Sequence, residues 1–187
     1  MDPKRWLPLL GLLFLFGLII RINWVMSLAI AIAVVISLAH LWRIRALKDV
    51  QYHRKFHYTR GFPGEDTTAQ IEVENRKLLP ISWLRVQDPW PKAIGPIDEK
   101  ILAPSHLQDQ GMLTNVFSLR WFERARRKYH ILFRSRGVYQ VGPVEMMSGD
   151  IFGIFEDHQI RGEPQIITVF PQILPISQMD LPAEDPL

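Results

Sequence analysis

The chain of 187 residues has a formal net charge of +3, and 48% of its residues are hydrophobic. Because it contains no cysteine, a disulfide framework and a thiolate metal site are both excluded. Residues 1–50 contain six basic and two acidic residues, whereas the remainder contains 16 basic and 17 acidic residues. The positive charge therefore belongs to the N-terminal part, and the high isoelectric point does not indicate nucleic-acid binding.

Two apolar segments open the chain. The first, residues 6–20, has 15 uncharged residues, which at about 1.5 Å per residue is shorter than a hydrocarbon core of about 30 Å. The second covers residues 24–42, and Arg21 is the only formal charge from the start of the first segment to the end of the second. The two segments predict a transmembrane helical hairpin within residues 1–48. A cleaved signal peptide is the alternative, although a second span follows and a small-residue cleavage site is missing.

Basic residues decide the predicted orientation of this hairpin. Five of the six basic residues of this region precede the first span or follow the second: Lys4, Arg5, Arg43, Arg45 and Lys48. Only Arg21 lies in the turn between the spans. Because basic residues concentrate on the cytoplasmic side, this distribution predicts a multi-pass membrane protein whose soluble domain is cytoplasmic.

From about residue 50 the hydrophobic pattern changes to a period of two, which indicates half-buried strands. In "TTAQIEVEN", for example, Ala69, Ile71 and Val73 alternate with polar residues. Seven strand candidates follow one another: residues 50–60, 67–75, 81–88, 112–121, 128–135, 138–147 and 165–170. These short segments predict a mainly β, antiparallel sandwich of immunoglobulin-like type over residues 49–175, followed by a Pro-rich tail at 176–187.

Candidate catalytic and metal-binding residues are few. His53 and His57 would lie on one strand face but roughly 13 Å apart, too far to share a metal ion. Glu72 and Glu74 would share an outward strand face, where a catalytic carboxylate pair is not expected. His40, near the inner end of the second span, is an ionisable residue in a membrane segment, although its interfacial position weakens it as a functional candidate. Motifs for nucleophilic, phosphate, dinucleotide or zinc chemistry are missing, so we expect no enzyme activity, metal or cofactor.

The densest charge feature is the basic segment, residues 120–136. Its basic residues are Arg120, Arg124, Arg126, Arg127, Lys128, Arg134 and Arg136, of which the first five are candidate contacts for an anion or a lipid. One interpretation is an electrostatic patch for anionic lipids or an acidic partner. The other is a solvated hairpin whose charge is offset by Glu123 and by acids elsewhere in the domain. Tyr129, Ile131 and Phe133 share one strand face and indicate core, so no nucleic-acid partner is expected.

The stretch "GVYQVGPVEMMSGDIFGIF", residues 137–155, is the most distinctive in the chain. With its flanks "RSR" and "GEPQIITVFPQILPI", it resembles the signature of the family known as domain of unknown function 58, in which Arg-Gly-x-Tyr-x-x-Gly-Pro leads into Asp-x-Phe-Gly-x-Phe. The matching residues are Arg136, Gly137, Tyr139, Gly142, Pro143, Asp150, Phe152, Gly153, Phe155 and Pro171. The apolar segments and "VENRKLLPISWLRVQDPWP" are also similar to the family, so the resemblance covers essentially the whole chain.

The resemblance implies a bacterial inner-membrane protein whose β-domain precedes a von Willebrand factor A-like domain and which works beside a MoxR-class AAA+ ATPase. It therefore implies a non-enzymatic scaffold or adaptor in the maturation of proteins or complexes. The sequence departs from the family where it stops, at "QMDLPAEDPL", and it lacks an Asp-x-Ser-x-Ser motif. We expect either a chain truncated before the von Willebrand portion or a short form that has lost it, so metal-dependent adhesion is not carried over.

Physical chemistry also gives this motif a structural interpretation. Gly142 permits backbone conformations that other residues resist, and Asp150 can cap the following turn by accepting backbone N–H groups. Phe152 and Phe155 would point into the core, and Arg136 could pair with Asp150. The motif is therefore predicted to be a corner of the fold, with a docking edge as the alternative.

Overall fold

The computed structural model of this protein describes residues 6–20, 23–151 and 153–172. Two helices come first: α1, Trp6–Ile20, and α2, Asn23–Ala46. In these ranges α2 is the one helix that is long and apolar enough to cross a membrane, judged by length and composition. It continues for one turn beyond residue 42, where the second span was predicted to end.

The first helix is shorter and lies against the second. A Cβ added at Gly17 of α1 would meet the side chains of Val25 and Met26 of α2, so the two helices are in close contact there. With 15 residues, α1 is about 22 Å long, which is less than the hydrocarbon core. The predicted orientation rests in part on Lys4, Arg5 and Arg21, which lie outside the described residues, as does the predicted tail at 176–187.

Eleven strands follow in the described part of the chain. They are β1 (Val50–Phe56), β2 (Arg60–Gly61), β3 (Asp66–Asn75), β4 (Ile81–Pro91), β5 (Leu102–Pro104), β6 (Gln110–Leu119), β7 (Arg124–Leu132), β8 (Gly137–Val141), β9 (Val144–Gly149), β10 (Glu156–Arg161) and β11 (Gln165–Val169). They form three sheets with the orders β1-β3-β7, β10-β9-β4-β6-β5 and β2-β11-β8. Only the short pairing of β2 with β11 is parallel among the described strands. The predicted mainly β, antiparallel architecture is confirmed.

Strand boundaries differ from the prediction where local backbone geometry intervenes. The candidate at 138–147 is two strands, β8 and β9, because Gly142 has a φ of 88° and Pro143 has no N–H to donate. The predicted strands at 112–121 and 128–135 begin earlier, at Gln110 and Arg124. The sequence pattern does not predict β2, β5 or β10, which are very short or poor in apolar residues.

One hydrophobic core joins the three sheets. Ile71 of β3 and Ile131 of β7 are fully buried, as their alternation predicts, and they belong to the same cluster as Trp90 of β4 and Ile167 of β11. Leu47, immediately after α2, belongs to this cluster too. The core of the β-domain therefore reaches the end of the apolar helix.

Candidate functional site at the helix joint

The corner between β9 and β10 contains the second half of the distinctive motif. Asp150 is fully buried, and its carboxylate accepts hydrogen bonds from the backbone N–H of Phe155 at 2.6 Å and of Ile154 at 3.4 Å. Gly153 has a φ of 68°, a left-handed conformation that glycine adopts without strain. Asp150 therefore caps this turn, as predicted. Phe152 lies outside the described residues.

The side chain of Phe155 connects the β9–β10 corner to α2. Its ring lies edge-on to the imidazole of His40, with 5.8 Å between the ring centroids, and the guanidinium of Arg43 lies 5.9 Å from the Phe155 centroid. The side chain is buried, but it does not belong to the cluster shared by the three sheets. Phe155 is therefore buried, as predicted, but against α2 rather than among the three sheets, since the capped turn directs the ring toward the helix.

The first half of the motif has a local role. The predicted ion pair between Arg136 and Asp150 is not formed: Arg136 is exposed, and none of the salt bridges among the described residues includes it. The hydroxyl of Tyr139 instead donates to the backbone carbonyls of Arg136 and Ser135, both at 3.0 Å. A Cβ at Gly137 would lie 3.0 Å from the Tyr139 ring, so the glycine leaves room for this contact.

Lys77, in the loop between β3 and β4, caps the C-terminal end of α2. Its ammonium donates to the backbone carbonyls of Arg45 at 2.7 Å and of Lys48 at 2.6 Å, and also to that of Ala46. The last carbonyls of a helix have no partners within the helix, and the helix dipole favours a cation beside them. Burial lowers the pKa of the Lys77 ammonium to about 8, and the charge of Asp49 opposes this shift.

A second cation, Arg161 of β10, binds the next stretch of backbone. Its guanidinium donates to the carbonyls of Leu47 at 2.7 Å and of Val50 at 2.5 Å, while the side-chain oxygen of Gln159 accepts from it at 2.5 Å. Three side chains from separate parts of the β-domain thus contact the end of α2 and the chain that follows it. We call this arrangement the helix joint: residues 40–50 with Lys77, Phe155 and Arg161.

The hinge of the motif at Gly142 lies beside a buried ion pair that the residue pattern does not predict. Arg54 of β1 and Asp88 of β4 are both buried, and Arg54 Nη1 lies 2.6 Å and 2.5 Å from the two carboxylate oxygens of Asp88. Arg54 Nη2 donates to the carbonyl of Val141 at 2.6 Å. A Cβ at Gly142 would lie 2.8 Å from this Nη2, so the guanidinium occupies space that only glycine leaves open.

Tyr52 and Gln165 complete the network around this pair. The Tyr52 hydroxyl donates to Asp88 at 2.8 Å, and Arg54 Nε donates to the side-chain oxygen of Gln165 at 3.0 Å. Burial, and then the charge of Asp88, raises the pKa of the Tyr52 hydroxyl above its ordinary value. Buried charges are tolerated when they are paired and hydrogen-bonded, so the network stabilises the contact of β1 with β4, β8 and β11.

A cavity of about 350 Å³ adjoins this network and the helix joint. Its lining includes Tyr52, Arg54, Arg161 and Gln165. The polar groups of these side chains are already hydrogen-bonded within the protein. In the described ranges no group of three or more His, Asp or Glu side chains is arranged to hold a metal ion.

Acidic residues of β3 neutralise part of the basic segment. Arg126 Nε lies 2.7 Å from a carboxylate oxygen of Glu72, and Arg124 lies 3.3 Å from Glu72 and 3.0 Å from Glu74. Burial acts to raise the pKa of the Glu72 carboxyl, but the hydrogen bond from Arg126 and the charges of both arginines lower it below its ordinary value. Glu72 and Glu74 therefore form cross-strand ion pairs with β7.

Some of the other basic side chains of the segment contact groups of the domain itself, and others are exposed without an ion-pair partner. Arg127 donates to Asn115 at 2.6 Å and lies over the Phe117 ring at 4.7 Å from its centroid. By contrast, Arg120 and Lys128 are exposed, and neither forms an ion pair with another described residue. The predicted contact residues thus differ in how free they are to bind an anion.

The sequence matches no family model and no curated protein. Three solved structures that it resembles are a sporulation control protein, a β-glucosidase and a PapD-like domain. Spo0M from Bacillus subtilis is 14% identical with a TM-score of 0.33, over 67% of this chain and 50% of that chain. The β-glucosidase from Listeria innocua is 9% identical with a TM-score of 0.36, over 66% of this chain and 16% of that chain. The ASH/PapD-like domain of human CEP192 is 13% identical with a TM-score of 0.27, over 65% of this chain and 84% of that chain.

Proposed function

We propose that this protein is a non-enzymatic, membrane-anchored scaffold, in which α1 and α2 form a transmembrane hairpin and an immunoglobulin-like sandwich is held at the cytoplasmic surface of a bacterial inner membrane. The observation that carries the proposal is the helix joint. Phe155 packs on α2, Lys77 binds carbonyls of its last turn, and Arg161 binds the carbonyls of Leu47 and Val50 just after it. Such a joint gives the domain one orientation relative to the bilayer, as a docking platform requires.

A MoxR-class AAA+ ATPase is the partner that the resemblance implies. A groove of about 520 Å³ supports docking beside the first half of the motif, since Tyr139 and the strongly exposed Val138 of β8 are among the residues that line it. This part of the motif does not take part in the helix joint. The proposed adaptor would therefore use one half of the motif to hold the helix and the other half to bind its partner.

A crosslinking pull-down from native membranes tests this proposal. We expect the tagged full chain to recover a MoxR-class ATPase at both low and high salt, because seven of the nine residues that line the groove are uncharged and contacts with them are only weakly screened by salt. Val138→Glu should reduce this recovery several-fold. Val116→Glu is the matched control, since Val116 is also exposed on a strand but does not line the groove. Recovery that is absent at both salt concentrations, or equal for the two variants, would contradict the adaptor proposal.

A second candidate function is the binding of anionic lipids or another polyanion through the basic segment. The exposed side chains of Arg120 and Lys128 support it, because both charges are available to an external anion. The salt dependence of binding distinguishes the two candidate functions. Polyanion binding falls steeply as ionic strength rises, whereas ATPase docking through the sandwich falls less.

A further inference from the structure

Three large apolar side chains are exposed beside the helix joint. Leu78, Trp121 and Phe122 are 74%, 65% and 63% exposed. They lie in two neighbouring loops, one between β3 and β4 and the other between β6 and β7. We call these three residues the apolar rim. A single exposed leucine needs no explanation, but a cluster of three with two aromatic members indicates a contact surface.

Hydrogen bonds connect the apolar rim to the end of α2. The backbone N–H of Phe122 donates to the carbonyl of Lys77 at 3.3 Å, and the Lys77 ammonium binds the last turn of the helix. The backbone N–H of Arg76 donates to the carbonyl of Asp49 at 2.9 Å. The β3–β4 loop is therefore attached to the segment that immediately follows Ala46, and the β6–β7 loop is attached to the β3–β4 loop.

This attachment sets the depth of the apolar rim relative to a bilayer. Trp42, at the predicted end of the span, precedes Ala46 by four residues, which is about 6 Å along a helix axis. The headgroup region extends roughly 5–8 Å beyond the hydrocarbon core on each side. If α2 crosses the membrane, the β3–β4 loop that is bound to its last turn lies at the depth of the headgroups, together with the β6–β7 loop that is bonded to it.

The side chains at this end of the domain suit such a position. Tryptophan and other aromatic residues concentrate at the membrane interface, and basic residues are attracted to anionic lipids. Arg45, Lys48 and Arg120 are exposed here, next to the apolar rim. Their charges are complementary to the phosphates of an anionic leaflet.

The backbone of Phe122 gives an independent indication. Its φ is 53°, a left-handed conformation that is strained for a bulky residue, and its side chain is mainly exposed. The core of the domain does not include this ring. Strain of this kind concentrates at functional positions, and here it presents an aromatic ring outward.

We propose that the apolar rim inserts among the lipid headgroups of the bilayer that α2 crosses, with Arg120 binding the phosphate of an anionic lipid. This inference rests on the proposed membrane anchoring. It also assigns the lipid contact to the two loops rather than to the arginines of β7, because Arg124, Arg126 and Arg127 are bound by groups of the domain itself.

Single-cysteine labelling tests the inference directly, because the chain has no cysteine of its own. We would label Leu78→Cys and Trp121→Cys with an environment-sensitive nitrobenzoxadiazole probe. The matched control is Leu107→Cys, which is 58% exposed and lies next to Gln110, at the opposite end of β6 from the basic segment. The full chain is placed in nanodiscs of phosphatidylcholine and phosphatidylglycerol. Quenching is measured with a headgroup-level spin-labelled lipid and with aqueous iodide.

We expect the spin-labelled lipid to quench the probes at 78 and 121 several-fold more than the probe at 107, and iodide to quench them less. In the Trp121→Cys background, we expect lipid quenching to fall when phosphatidylglycerol is omitted or when Arg120→Gln is added. Probes at 78 and 121 that behave like the probe at 107 would overturn the inference. So would probes that are shielded from both quenchers, since that result indicates cover by protein. Lipid quenching that does not respond to phosphatidylglycerol would overturn the role of Arg120.

A fourth label, at Leu38→Cys in α2, is measured with a lipid that carries its spin label on the acyl chain, and it keeps the two proposals distinguishable. Strong lipid quenching at 38 without quenching at 78 and 121 would be consistent with membrane anchoring but would reject the insertion of the apolar rim among the headgroups. No lipid quenching at 38 would reject the anchoring itself, and the inference with it.

Discussion

At the residue scale, the buried pair of Arg54 and Asp88 shows what alternation alone can and cannot predict. Arg54 shares the inward face of β1 with Tyr52 and Phe56, so the pattern already puts a charge among apolar residues. A charge in that position needs a buried partner. The partner is 34 residues away in another sheet, and its identity depends on how the sheets pack. The alternation of residues in either strand does not predict how the two sheets pack.

The first prediction concerns this pair. Asp88→Asn should lower the free energy of unfolding by about 3–5 kcal/mol, because it leaves the Arg54 guanidinium buried without a counterion. The measurement is chemical denaturation of the full chain in detergent, followed by tryptophan fluorescence. Glu99→Gln is the control, since Glu99 pairs with Arg134 while being largely exposed, and it should change stability by less than about 1 kcal/mol. Equal effects of the two substitutions would contradict the stabilising role of the network.

At the element scale, α2 is longer than its apolar segment. Hydropathy ends the predicted span at residue 42, because Arg43 and Arg45 follow, but hydrogen bonding rather than hydropathy determines where a helix stops. The carbonyls of the last turn are bound by Lys77, which is about 30 residues further along the chain. Asp150, by contrast, caps a turn only four to five residues away, and this local contact was predictable.

The second prediction follows from the pKa of Lys77, which is about 8 in the folded protein against an ordinary value of 10.5. Between these values the unfolded chain binds a proton that the folded protein does not, so this titration raises the free energy of unfolding as the pH rises from about 8 to about 10.5. Below pH 8 both states are protonated and this group adds no pH dependence.

Denaturation of the full chain at several pH values checks this expectation. The difference in unfolding free energy between the natural protein and Lys77→Met should shift in favour of the natural protein across that window. Lys100→Met, which removes an exposed lysine, is the control. A pH-independent difference for Lys77→Met would be evidence against the lowered pKa.

At the scale of the whole molecule, the main finding is that the apolar helix and the β-domain form a continuous structure. The three contacts of the helix joint come from the β3–β4 loop, the β9–β10 corner and β10. They hold residues 40–50 from several directions, so hinge motion at this point would break all of them together. The proposed scaffold and the proposed contact of the apolar rim with lipid both depend on this continuity.

The third prediction tests that rigidity. Spin labels at Leu38→Cys and Leu107→Cys of the full chain in nanodiscs should give one narrow distance distribution by pulsed electron spin resonance. Adding Lys77→Gln and Arg161→Gln should broaden it, because the end of α2 then loses both cationic partners. Adding Arg124→Gln and Arg126→Gln should leave it narrow, since these arginines pair with Glu72 and Glu74 of β3, which are not part of the joint. A broad distribution in the unsubstituted background would show that the joint is a hinge.

The apolar N-terminal helices, the period-two β-domain and the cap made by Asp150 are predictable from the sequence. These features depend on composition, on alternation or on contacts within a few residues, all of which can be read along the chain. Three features depend on the packing of the folded chain: Phe155 turns toward α2, Lys77 and Arg161 bind the end of α2 and the residues just after it, and Arg54 pairs with Asp88. Each of these contacts joins elements that are distant in sequence, and their pairing depends on strand order and on the packing of the sheets. Residue periodicity encodes which side chains are buried, but it does not encode which buried or capping groups meet.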